Sequence, residues 1–170
     1  MAVPSGEFRA TSIALTEPTD RTTAGNVVNV TNPLDFGTAN NTNGVVQVGP
    51  KVLWWRCTDL AGYSTISNMK FWMSANSGLN GTNEYYCDIT STWTQNKTVA
   101  QVSGGIPGVL PQSLPSSNIT RIGGGDITGT GHADTSQYIY IALAIGPDET
   151  IGAKGGVSGG FQVSIKFDYA

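Results

Sequence analysis

Between Phe161 and Tyr169 the chain alternates: Phe161, Val163, Ile165, Phe167 and Tyr169 are apolar or aromatic, and Gln162, Ser164, Lys166 and Asp168 between them are polar. A period of two places each set on its own face of a β-strand, so this stretch predicts a strand with one buried and one wet side. The run before it, Ser136 to Ile145, has a different character. Ile139, Ile141, Leu143 and Ile145 share one side, but Tyr138, Tyr140, Ala142 and Ala144 fill the other. A strand apolar on both faces belongs in the middle of a sheet, with its Tyr/Ala side covered by a second sheet, a loop or a neighbouring subunit.

Earlier strands are expected at Glu7 to Leu15, Asn26 to Val30, Val45 to Val48, Val52 to Cys57, Ile66 to Met73 and Glu84 to Ile89, with a short one at Thr98 to Val102. Thr58-Asp59-Leu60-Ala61-Gly62 lies between two of these and predicts a hairpin. Trp54 and Trp55 are neighbours in one predicted strand, so they must point to opposite faces, and at most one belongs to the inner core. The pattern as a whole predicts one all-β domain over residues 1–170. The expected architecture is a two-sheet antiparallel β-sandwich, with jelly-roll-like connectivity favoured and an immunoglobulin-like order as its rival.

Two stretches break the alternation. Thr98 to Thr120 carries no charged residue and places Pro107, Pro111 and Pro115 four residues apart, and Gly123 to Thr135 is rich in glycine. Residues 103–135 therefore read as a long loop or arm, and residues 1–6 as a second, N-terminal arm. Pro107, Pro111 and Pro115, with Trp55 and Trp93, are the candidate partner-contacting residues.

Composition sharpens this picture. Gly, Ser, Thr and Asn fill 68 of 170 positions, and only 12% of residues are charged, against about 25% in ordinary domains. Such a surface is polar but neutral. A net charge of −3 with no cluster of Lys or Arg argues against nucleic acid as a partner. No apolar run approaches the roughly 18 residues of a membrane helix, and Met1 to Ala10 lacks the basic and apolar regions of an export signal, which leads us to expect cytoplasmic synthesis. Cys57 and Cys87 are then expected as reduced, partly buried thiols.

Candidate chemistry is sparse. His132 is the sole histidine, so a catalytic triad would have to be built on it with Asp126 or Asp134 as orienter, and no Gly-x-Ser-x-Gly elbow supplies the nucleophile. Zinc would have to draw on His132, Cys57 and Cys87, which lack any short ligand spacing. Asp126 and Asp134 are the weak candidates for calcium, through carboxylate and loop carbonyl oxygens. No catalytic residue and no cofactor is expected. The function class this profile suggests is a virion structural protein of the capsid decoration or cement type, a homo-oligomer (a trimer among the candidate states) that docks on a capsid lattice. A filament or surface-layer subunit on the cell exterior that assembles by strand donation is one alternative. A carbohydrate-binding module, with a glycan on an exposed tryptophan, is the other.

Overall fold

The computed structural model describes residues 2–77, 79, 82–150 and 160–170. Eight strands are defined there: β1 (Ser5–Thr11), β2 (Asn26–Val28), β3 (Val46–Asp59), β4 (Ile66–Ser77), β5 (Glu84–Thr90), β6 (Pro107–Val109), β7 (Tyr138–Ile145) and β8 (Gly160–Tyr169). A five-residue helix, α1 (Val99–Ser103), and a single 3-10 turn at His132–Asp134 complete the regular elements. The strands form two antiparallel sheets, one of six strands in the order β2-β1-β3-β7-β5-β6 and one of two, β4-β8. The fold is all-β. None of the described helices is long and apolar enough to cross a membrane.

The main core draws on both sheets. Leu53, Trp55 and Cys57 of β3, Tyr85, Cys87 and Ile89 of β5, and Ile139, Ile141, Leu143 and Ile145 of β7 meet Ile66, Met69, Phe71 and Met73 of β4. Every residue of β7 is buried, as its two-faced pattern predicts for a central strand. Its second face, with Tyr138, Tyr140 and Ala142, joins Val52, Trp54 and Val102 in a smaller core, against which Ile13, Ala24 and Trp93 also pack. The cover of the Tyr/Ala side is thus the chain's own loops and α1.

Three local expectations need correction. The residues at 58–62 do not join a hairpin. β3 pairs with β1 and β7, β4 pairs with β8, and the connection crosses from one sheet to the other. Leu53, Trp55 and Cys57 of β3 and Ile66, Met69, Phe71 and Met73 of β4 meet in the main core instead of pairing edge to edge. Thr98 to Val102 is not a strand but the start of α1, because Thr98 and Gln101 form a capping box. The Thr98 hydroxyl accepts the Gln101 N–H, and the Gln101 side chain accepts the Thr98 N–H. Val45–Val48 and Val52–Cys57 merge into one strand, β3, across a register shift between Val48 and Lys51, where Gly49 holds a φ of 93°.

Residues 110–127 run back over the molecule as a strap. The Leu110 N–H donates to the Tyr85 carbonyl and Leu110 is fully buried. The strap then lines the outer edge of β4. The Pro111 carbonyl accepts the Met73 N–H at 2.8 Å, the Asn118 N–H donates to the Met69 carbonyl at 3.2 Å, and Ile127 and Ile66 exchange both their backbone bonds. Asn118 Oδ1 accepts the Phe71 N–H and its Nδ2 donates to the Phe71 carbonyl, each at 2.8 Å. One side-chain amide here replaces a strand's peptide group.

Candidate functional site

Beside the smaller core lies a buried polar network. Arg21, at the base of the loop between β1 and β2, is 6% exposed. Its Nε donates to Thr135 Oγ1 at 2.9 Å, its Nη1 to the Tyr138 hydroxyl at 3.1 Å and its Nη2 to the His132 carbonyl at 3.1 Å. The Tyr138 hydroxyl donates to Glu17 at 2.7 Å, and the Arg21 carbonyl accepts the Trp54 indole N–H at 2.9 Å. A buried guanidinium must have most of its donors met, and here the loop is anchored by meeting them. Lys97 and Asp88 form a second buried pair, with the Lys97 ammonium 4.5 Å from the Tyr140 ring centroid and the other Asp88 oxygen accepting the Ile106 N–H. Burial pushes the Tyr140 hydroxyl up to about 12 and raises that of Tyr138 as well.

His132 belongs to this network rather than to a triad. Its Nδ1 accepts the Arg21 backbone N–H at 2.9 Å, which occupies the nitrogen that a carboxylate orienter would need. Asp134 turns instead to Thr128, accepting its N–H at 3.1 Å and its hydroxyl at 3.3 Å, and Asp126 is exposed. Among the described residues no group of three or more His, Cys, Asp and Glu is placed to hold a metal ion. Cys57 and Cys87 are unpaired and fully buried, more deeply than expected, and burial raises both thiols, so neither is a ready nucleophile. An open depression of about 390 Å³ includes Leu15, Glu17, Asp20 and Gly25 in its lining. Its carboxylates are already engaged: Glu17 by Tyr138, and Asp20 by the Thr22 hydroxyl and N–H, which hold it below the ordinary carboxylate range.

The candidate partner-contacting residues fall into different settings. Trp55 is 2% exposed in the main core beneath β1, where a Cβ on Gly6 would come within 2.2 Å of its ring. It has no face to offer a sugar or a subunit, and its selection as a surface aromatic is corrected. Trp54 is buried on the opposite side, so each face of β3 has its own core. Trp93 is half-buried against Tyr138, centroids 5.1 Å apart, with its indole N–H on the Leu15 carbonyl. Pro107 is exposed on the edge strand β6 beside Ile106 and Val109, whereas Pro111 and Pro115 are partly covered.

The position missed from sequence is the edge of β8. Phe161, Val163, Ile165 and Phe167 face the main core yet all stay partly exposed, in contrast to the fully buried row of β7. Ala170 and Thr65 exchange both backbone bonds, so by alternation Val163, Ile165 and Phe167 direct their N–H and C=O groups away from β4. Among the described residues no strand pairs with that edge. The visible sequence signal was the same regular alternation that any half-buried strand carries, which does not distinguish an edge from an interior position. No family model, curated relative or solved structure matches this chain.

Proposed function

We propose that this chain is a virion structural protein of the capsid decoration type, a two-sheet sandwich with jelly-roll-like connectivity that works by self-association and by docking on neighbouring structural subunits. The observation that carries the reading is the β8 edge, where, among the described residues, no strand pairs with the outer peptide groups of a ten-residue strand whose apolar row stays partly exposed. Natural proteins commonly shield such an edge, and a neighbouring subunit is the cover this reading supplies. The exposed Ile106, just before β6, and Val109 on it, with the low charge of the exterior, add support, since neutral faces meet repeated copies without like-charge repulsion. Strand donation is the alternative mode, with a donor other than β1, whose residues Ser5–Thr11 pair with β3 and whose Phe8, Arg9 and Ala10 also pair with β2.

The mass of the purified protein in solution, followed by electron microscopy and by mass spectrometry of purified virions, tests this reading. An oligomer that becomes a folded monomer on Ile165→Lys, and a chain abundant in particles, is the expected result. A wild-type monomer at all concentrations, or assembly unaffected by Ile165→Lys, overturns it.

A further inference from the structure

The outward face of the β4–β8 sheet carries a second feature, independent of the β8 edge. Trp72 lies on this face, half-buried, opposite Ser164 in the register, and its indole N–H has no hydrogen-bond partner among the described residues. The next outward pair is Lys70 opposite Lys166. Directly opposed side chains stand about 5 Å apart at Cβ, and like charges there repel. Neither ammonium has an ion-pair partner among the described residues. The acid of this face, Asp168, accepts Asn68 Nδ2 at 2.7 Å, which leaves two lysines against one carboxylate on a protein of net charge −3. On the other side of Trp72 lie neutral hydrogen-bonding groups, with Ser164 Oγ donating to Ser74 Oγ at 2.7 Å and Gln162 beyond.

The geometry points to a binding site for an acidic saccharide. A pyranose ring is apolar on its face and polar at its rim, so it stacks on an indole while its hydroxyls meet Ser, Gln and the indole N–H. A carboxylate on that ring or on the adjoining one reaches the Lys70–Lys166 pair and relieves their repulsion. A phosphate polymer fits less well, because two lysines beside an aspartate give too little charge to drive counterion release.

Titration calorimetry of the full chain with oligogalacturonate, with a neutral glucose oligosaccharide of equal length and with oligodeoxythymidine separates these cases. Expected are binding of oligogalacturonate that weakens with added salt, a loss of at least about tenfold in Trp72→Ala, and loss of the acidic preference in Lys70→Gln/Lys166→Gln. Unchanged melting temperature and solution mass in these variants keep the result separate from folding and from the proposed assembly. No binding of oligogalacturonate, equal binding of the neutral chain, tighter binding of the oligonucleotide, or affinity indifferent to Trp72→Ala would each overturn the inference.

Discussion

β7 and β8 read almost alike, as alternating apolar rows near the end of the chain, yet they sit at opposite extremes of the fold. All of β7 is buried, with β3 and β5 on its two edges and a core on each face. Among the described residues β8 pairs only with β4, and its inward row stays partly exposed. What separates them is the second face: Tyr138, Tyr140 and Ala142 against Ser164, Lys166 and Asp168. A strand that can bury both faces is drawn to the centre, and one that must keep a face wet is left at the margin.

The largest contrast is expected when the same charge is placed in both rows. Ile141→Lys should leave no folded protein by circular dichroism, since an unpaired ammonium in a fully enclosed site costs more than about 5 kcal/mol, on the scale of a whole domain's stability. Ile165→Lys should fold, losing about 1–2 kcal/mol in urea unfolding, because the ammonium can reach water at the open edge. Equal losses would remove the distinction between the strands.

The cover of β7's tyrosine face can be tested next. Arg21→Ala takes the guanidinium donors from the His132 carbonyl, Thr135 Oγ1 and the Tyr138 hydroxyl, and a loss of about 3 kcal/mol is expected by urea denaturation. The same face predicts an alkaline limit. Burial raises the Tyr138 and Tyr140 hydroxyls above their ordinary value of 10.0, so the unfolded chain releases these protons first. Stability should hold up to pH 10 and then fall by on the order of 2 kcal/mol toward pH 12, with Tyr140→Phe flattening part of that slope. The smallest effect belongs to the helix that closes this core: Thr98→Ala removes the cap and should lower stability by about 1 kcal/mol, read as a small drop in melting temperature.

Much of the fold was legible because it rests on periodicity. The central position of β7, the wet face of β8 and the opposed directions of Trp54 and Trp55 all follow from counting residues two at a time. The second core was half-visible, in that the Tyr/Ala face demanded a cover, but the cover itself is made by contacts between residues far apart in the chain. Arg21 meets His132, Thr135 and Tyr138 across more than a hundred positions, and nothing in its local sequence marks it. The start of α1 was misread as a strand, because the capping-box spacing of Thr98-Val99-Ala100-Gln101 outweighs a short apolar alternation. Of the tryptophans, Trp55 was misplaced because period alone does not reveal whether both faces of β3 are covered, and period alone does not single out Trp72 from the other tryptophans as a candidate for stacking a sugar.

The amide of Asn118 has a consequence for how a sheet can end. Adding another strand to β4 would satisfy its backbone but create a fresh row of unpaired groups one step further out, so the difficulty would only move. A lone side chain that mimics the peptide unit stops that regress, because it offers the next chain nothing to continue from. At Phe71 the border is closed by a side chain, within a strap whose backbone meets β4 at Pro111, Asn118 and Ile127.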